Sequence, residues 1–547
     1  MTNTSTSPAS APSAPHAPSA LGPLRVKLFR ALWTASLISS IGGWMQTVGA
    51  QWFLVEHHSD AALVALIQTA SAAPFLLLGI PAGVLGEFVN RRTLLIIVQA
   101  CLVSIGVVLS VVTWSGGMTP VLLLAFTFLL GAGSAVQGPA YQALIPEIVP
   151  REIIPSAAAL SSIGVNVARS IGPALAGLAI ASLGIPFVFA LNALSFAVFL
   201  VVLITWRGYT PPAHRPEPFI EATRAGLRYV WNAGVVRRVL VRLALFIIPA
   251  SALWALLPLV ASSQLGLDSN GYGLLLGALG VGSVGGAFVI PKARAKLGAN
   301  VTVMIASAAF GAAIALSALS KSLPLTLGVL VIGGVAWIAV IASLNGSVQA
   351  FLPSWVRSRG LSVYQLVLFG STAGGSAIAG FVAQTVGVIP TSVGAGIVVI
   401  AVAASQLIWP LMSTAGKERG VVTLPLTDVP PVDDVAPLSI SDAAETLVLI
   451  RYTVPFADRA AFVAQMQLVR RTRRRTGARQ WELYNDREHP DVVVEAFSVG
   501  SWREHLSQHE ERMTGFDQAE LTKARSLATG EPQVQHLTQL DPSAPTA

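Results

Sequence analysis

Two stretches of this chain are versions of one another. Residues 142–184 read QALIPEIVPREIIPSAAALSSIGVNVARSIGPALAGLAIASLG, and residues 349–387 read QAFLPSWVRSRGLSVYQLVLFGSTAGGSAIAGFVAQTVG. Gln142, Ala143, Pro146 and Val149 align with Gln349, Ala350, Pro353 and Val356. After a four-residue deletion, Gly172, Gly177 and Gly184 align with Gly375, Gly380 and Gly387. Each copy has the end of an apolar helix, a loop marked by proline and basic residues, then an apolar helix with small residues at every fourth position. A unit recurring about 200 residues later implies a duplicated half-molecule. Both copies lie inside hydrophobic runs, as expected of two related halves set side by side in a bilayer.

Apolar residues make up 53% of the 547, and charged residues only 11%, about half the share of a soluble chain. Residues 1–419 hold 22 Lys and Arg against 9 Asp and Glu, while residues 420–547 hold 13 against 18. The excess of positive charge therefore belongs to loops flanking the apolar runs, and it implies no nucleic-acid partner. The one cysteine, Cys101, excludes an intrachain disulfide and a cysteine-rich metal site.

Residues 1–22 are Ser, Ala, Pro and Thr without charge, which predicts a disordered tail and not a signal peptide. A bilayer core of about 30 Å needs roughly 20 apolar helical residues. Twelve stretches meet that length: 32–55, 62–85, 93–114, 119–144, 156–181, 185–206, 240–262, 272–291, 301–319, 323–350, 361–385 and 389–412. They predict an all-α membrane protein of twelve transmembrane helices, arranged as two pseudo-symmetric six-helix bundles over 24–206 and 240–412. With both termini cytoplasmic, twenty basic residues fall in inner segments and only Lys321 in an outer loop. Residues 207–239 form a cytoplasmic linker in which Phe219, Leu227, Val230, Trp231 and Val235 alternate helically with Arg224, Arg228, Arg237 and Arg238. That pattern predicts an amphipathic helix lying at the lipid bilayer surface.

A Pro and Asp linker spans 414–443, and residues 444–540 read as a cytoplasmic α+β domain in βαββαβ order, a small ferredoxin-like unit. His505 and His509 stand at i, i+4, a spacing that can bind zinc. No third ligand is evident, so they are expected on a solvated helix face.

The loop after the second stretch reads GVLGEFVNRRTLL. Gly83, Leu85, Glu87, Arg91 and Arg92 resemble the signature loop of the major facilitator superfamily, with Glu87 where that family has Asp. Phe88 and Asn90 depart from its pattern. The resemblance implies a gating role, in which the acid faces a helix N-terminus of the other half and latches one state. In the fifth stretch, NVARSIGPALAG resembles the superfamily's antiporter-type motif. Gly172, Pro173 and Gly177 fit, with Asn166 and Arg169 just before them, and Ala176 replaces the first of two paired glycines. Gly164, Ala168, Gly172 and Ala176 make a small-residue stripe that allows close helix approach. This motif implies efflux. Arg169 is the only full charge deep in a stretch; it faces a cavity or braces the bundle through backbone carbonyls, and the sequence leaves both open.

The arginine often found in the fourth span of the family corresponds to Ser134, so no proton relay can be built on it. No stretch carries a buried acid, and elimination leaves Glu56 and Glu87 as carriers of the coupling ion, H+. The family places spans one, four, seven and ten around a central cavity. Its candidates here are Trp44, Gln46, Gln51, Gln137, Trp254, Trp337, Asn345 and Gln349, a lining suited to a large amphipathic small molecule.

The whole chain resembles the drug and siderophore exporter branch of that superfamily, the transmembrane secretion effectors, which include enterobactin-exporter-like proteins. The implied mechanism is alternating access without an enzyme activity or a cofactor; no nucleotide-binding loop is present. The tail resembles dimeric monooxygenase-like domains, implying a possible homodimer through its sheet. A second reading takes the tail as an enzyme or regulatory module, with the helices mainly as its anchor.

Overall fold

The computed structural model describes residues 21–88, 90–206, 219–412, 422 and 444–539; side chains are described throughout these except at 80, 82–89, 151, 219–225, 354 and 358. The first bundle is built from α1 (Lys27–Glu56), α2 (Ala61–Phe88), α3 (Arg91–Trp114), α4 (Pro120–Ile148), α5 (Ile154–Leu183) and α6 (Ile185–Thr205). A short helix, α7 (Phe219–Asn232), precedes the second bundle of α8 (Gly234–Ala250), α9 (Ala252–Leu259), α10 (Ser269–Leu319), α11 (Leu323–Phe351), α12 (Ser354–Val386) and α13 (Val388–Ala404).

Helix starts follow the local chemistry. Asn90 accepts from the Thr93 amide at 3.2 Å, Thr119 from the Leu122 amide at 3.3 Å, and Asp268 from the Gly271 amide at 2.9 Å. Each satisfies an orphan donor of a first turn.

Among the described residues, nine helices are long and apolar enough to cross a membrane. The expected stretches 272–291 and 301–319 fall in one element, α10, kinked where Gly298 leaves helical geometry at φ 76° and ψ 164°. Only glycine takes that conformation without strain. α8 and α9 likewise run together through Gln264, α13 has 17 residues, and α1 is not among the nine.

The repeated segments occupy equivalent places. Gly184 ends α5 at φ 84° and ψ 167°, and Gly387 ends α12 at φ 95° and ψ 160°. A Cβ on Gly172 would lie 3.1 Å from the Ile41 carbonyl of α1; one on Gly375 would lie 2.3 Å from the Ile248 carbonyl of α8. A Cβ on Gly177 would meet the Ser269 carbonyl of α10 at 2.6 Å, and one on Gly380 the Ala65 methyl of α2 at 2.5 Å. So α5 packs on α1 of its own bundle and α10 of the other. Correspondingly, α12 packs on α8 of its own bundle and α2 of the other. Small residues permit this because helix association in lipid depends on close approach rather than on a hydrophobic driving force.

The tail forms a four-stranded antiparallel sheet from β1 (Thr446–Thr453), β2 (Gln480–Asn485), β3 (Val492–Val499) and β4 (Thr529–Thr538), in the order β2-β3-β1-β4. Its helices are α14 (Arg459–Thr476), α15 (Trp502–Ser507) and α16 (Gly515–Arg525). The alternation of β1 buries Val448, Ile450 and Tyr452 with Phe462, Met466 and Val469 of α14. This domain docks on the bundles. Arg228 of α7 donates to Glu504 at 2.8 Å, Arg512 donates to the same carboxylate at 3.1 Å, and Arg512 stacks 5.0 Å over Trp355 of α12. Tyr229 packs edge-on to Trp355 at 5.6 Å.

Candidate functional site between the bundles

The two bundles touch at one end and part toward the other. α5 and α10 stay close from Gly177 and Ser269 to Ser170 and Gly280, where an added Cβ would meet the Ser170 Cα at 2.4 Å. Continuing the same faces, Ser162 and Ile163 of α5 and Ala287 and Phe288 of α10 are exposed, and Asn166 is half-exposed. α2 and α12 meet similarly, through Thr69 donating to the Ala373 carbonyl at 2.9 Å and Phe75 stacked on Phe369 at 3.9 Å. The parted end is the one bearing Arg91, Arg151, Lys292, Arg357 and Arg359, and is called the basic end below.

Arg169 stands midway along α5, about 21 Å from either end. It lies between the face that packs on α1 and the face that packs on α10. Its guanidinium sits 5.5 Å from the Trp44 ring of α1, it forms no ion pair or hydrogen bond among the described residues, and its Nε is buried without a partner. Three other arginines behave differently. Arg92 donates to the Leu203 and Ile204 carbonyls, Arg238 to Pro410, and Arg242 to Val402, Ser405 and Trp409. Arg92 and Arg242 each cap a helix C-terminus, where carbonyls are unsatisfied and cations are favoured, and Arg238 bonds to the segment after α13. Of the two roles the sequence left open for Arg169, bracing through carbonyls is not the one its contacts show.

The remaining cavity candidates fall into three groups. Gln51 is shared across the bundles: its amide donates to the Trp254 carbonyl at 2.9 Å and its oxygen accepts from Tyr272 at 2.8 Å. Trp254 and Trp337, with ring centroids 4.3 Å apart, form an aromatic cluster with Phe246 and Phe310 inside the second bundle. Asn345 and, one turn on, Gln349 bond to each other, Gln349 being exposed, while Gln137 is half-buried on α4 and Trp44 is half-buried on α1. Gln46 does not join them. It is turned into the first bundle, where it accepts from Asn192 of α6 at 3.4 Å.

The other motif residues are placed as follows. Arg91 pairs with Glu147 at the end of α4 and donates to the Ala143 carbonyl at 3.1 Å, so it ties α3 to α4 within one bundle. The side chains of Gly83, Leu85 and Glu87 lie outside the described residues. Asn166 donates to the Ser162 carbonyl of its own helix at 2.9 Å. Gly164, Gly172 and Pro173 are buried; Gly164 and Gly172 face Trp33 and Trp44 of α1, so the small-residue stripe serves the first bundle, and Gly177 serves the contact with α10. Glu56 is exposed at the end of α1 and lines a cavity of about 240 Å³ with Phe53, His57, Thr113 and Met118. That cavity belongs to the first bundle and lies away from the parted faces.

Four residues that matter here carried little sequence signal. Tyr272 stands at the start of α10, Glu147 lies just past the expected fourth stretch, Arg242 sits inside an apolar run, and Glu504 is one acid among several in the tail. Their partners are 221, 56, 160 or more, and 276 residues away in sequence. The expectation for His505 is corrected. It is 1% exposed, packed against His509, His536 and Trp502, because α15 turns it onto the sheet face that carries Phe497 and His536. Burial, with His509 and His536 nearby, lowers its pKa to about 3. Among the described residues no group of three or more His, Cys, Asp or Glu is placed to hold a metal ion.

Apolar membrane-length helices in two bundles, joined through exchanged equivalent contacts and parted at one end, define a multi-pass membrane transporter. Residues 18–543 match the transmembrane secretion effector family, and the chain belongs to that family of the major facilitator superfamily. It is 24% identical over 288 residues to the staphyloferrin A transporter of Staphylococcus aureus, covering 52% of this chain and 71% of that one. It is 24% identical over 378 residues to the multidrug efflux pump Tap of Mycolicibacterium fortuitum, covering 67% and 90%. A bacterial homologue of the human lysosomal transporter Spinster, in its inward-facing occupied conformation, superposes with a TM-score of 0.57 at 17% identity, covering 72% of this chain and 99% of that one. The family and these relatives are transporters, not enzymes.

Proposed function

We propose that this protein is a secondary active exporter of a small amphipathic molecule of the drug or siderophore kind, driven by H+ and working by alternating access across twelve spans with both termini cytoplasmic. The observation that carries this reading is the pairing of α5 with α10 and α2 with α12. The same repeated glycine contacts hold the bundles at one end, and the same helices part at the other. Two related halves hinged in this way can exchange which end is open without breaking either bundle. The basic end is the cytoplasmic one, as the distribution of Lys and Arg requires, and the state described is then open to the cytoplasm. The relatives support export, being named as a siderophore transporter and a multidrug efflux pump.

Gln51 with Tyr272 and Trp254 forms part of the closed outer end, and the aromatic cluster around Trp254 and Trp337 lines the second half's share of the path. Glu56 and Glu87 remain the coupling candidates, and Glu147, paired with Arg91 at the basic end, joins them. The tail is a ferredoxin-like unit; its sheet order is the one that a split βαββαβ chain takes. It forms a homodimer through the open sheet face, on which Leu447, Tyr484 and Leu537 are exposed. Cysteine cross-linking at Tyr484 tests that pairing.

The test of export is dye movement in everted membrane vesicles. Full-length protein accumulates a lipophilic fluorescent dye when a proton gradient is imposed and releases it when the gradient is collapsed. Accumulation indifferent to the gradient overturns the coupling, and accumulation only in right-side-out vesicles overturns the direction.

A further inference from the structure

We infer that Arg169 and Trp44 form an anion subsite of the transport path, and that the cargo carries an organic carboxylate beside a flat apolar group. This deepens the export reading above and rests on it. Arg169 is a guanidinium at mid-depth, facing the parted side of α5, with the Trp44 ring 5.5 Å away. A lone charge at such depth costs at least about 2.5–3.5 kcal/mol, and Arg92 and Arg242 of the bundles make hydrogen bonds to helix-end carbonyls. Arg169 has none, and the described membrane-spanning interior holds no Asp or Glu to pair with it. Its donors are therefore left for something that enters the gap.

A planar guanidinium matches a carboxylate through two parallel hydrogen bonds. The Trp44 ring holds the guanidinium by one face and offers an apolar edge to whatever lies next to the anion. The approach is consistent in sign. Exposed Lys292 and Lys296 of α10, with Arg357 and Arg359 of α12, stand at the basic mouth, where they raise the local concentration of anions.

The experiment is fluorescein binding to the detergent-solubilised full-length chain, read by anisotropy, with benzoate, chloride and phosphatidylglycerol as competitors. Wild-type protein binds fluorescein saturably and releases it to benzoate. Arg169→Gln weakens binding by about tenfold or more, Arg169→Lys by about threefold because one donor replaces a fork, and Trp44→Leu falls between. Binding of the neutral dye Nile red and the melting temperature stay at wild-type values in Arg169→Gln. Should that variant fail to fold, the order of Arg169→Lys and Trp44→Leu carries the test. The inference is overturned by unsaturable binding in the wild type, by equal affinity in Arg169→Gln, by an equal fall for Nile red, or by displacement with chloride or phosphatidylglycerol in place of benzoate. Failure of the export reading looks different: vesicles move neither dye, while fluorescein binding still depends on Arg169.

Discussion

Glu495 is fully buried in the tail and three neighbours answer its charge. It accepts from Arg473 at 3.0 Å, from Trp481 at 2.9 Å and from Tyr452 at 3.1 Å. The pairing holds the Arg473 pKa above its ordinary value against the burial that opposes it, and burial with Glu495 nearby pushes that of Tyr452 up. Removing one partner leaves an uncompensated buried charge, which costs about 3–5 kcal/mol. Arg473→Met should therefore unfold the tail in the full-length chain, seen as loss of hydrogen-exchange protection over β1 and β3 while the bundles keep theirs. His505 gives a second prediction. Its native pKa lies near 3, below the unfolded value of 6.5, so below pH 6.5 the unfolded chain takes a proton that the native one refuses. Stability is then whole above pH 6.5 and falls by up to about 1.4 kcal/mol per pH unit as pH drops toward 3. The hydrogen-exchange protection factor of residues 502–512, which is relative to the intrinsic rate at each pH, should fall between pH 7 and pH 5, and His505→Phe should flatten that dependence.

At the scale of elements, the glycines set what the helices can do. Gly177 and Gly380 stand at equivalent positions of the repeat, one against α10 and one against α2. Gly177→Leu and Gly380→Leu should each force the closed end apart, and by similar amounts. Distances between spin labels at Ser59 and Gln264 should lengthen in both, and dye accumulation should fall by about tenfold, the effect of roughly 1.4 kcal/mol on a two-state balance. A change in only one variant would mean that the two contacts are not equivalent. Helix α7 forms as its amphipathic pattern predicts, and its apolar residues divide between two surfaces. Leu227 and Trp231 are exposed, Trp231 by 69%, whereas Tyr229 and Val230 are buried against α12 and the tail. The apolar residues serve two surfaces, and periodicity alone does not separate a face destined for lipid from one destined for protein.

At the scale of the whole molecule, a shared carboxylate helps tie the tail to α7 and the second bundle. Glu504 takes Arg228 of α7 and Arg512 of the tail, and Arg512 carries the contact on to Trp355 at the start of α12. These links sit at the start of α12, at the basic end, so the tail bears on a helix whose other end makes the closed contact. Glu504→Gln should loosen the tail, shown by faster proteolysis after residue 412, while the chain still folds. If dye accumulation is unchanged in that variant and in a chain ending at residue 413, the tail is accessory to transport.

What the sequence determined by itself was that the chain is built mostly of apolar helices, with a repeat and a charge bias in the loops, because each follows from composition over windows of about 20 residues. It also located the βαββαβ order of the tail, where strand alternation and helix periodicity differ in kind. The rotation of each membrane helix was decided only in three dimensions. Gln46 and Gln51 share α1, yet one turns to Asn192 inside the first bundle and the other to Tyr272 of the second bundle. A helix apolar all round carries no stripe to announce its buried face, so close approach at glycine and long-range hydrogen bonds settle it. The same holds for Arg169: its depth was legible in the sequence, and its want of carbonyl partners became visible only when α1, α5 and α10 were brought together.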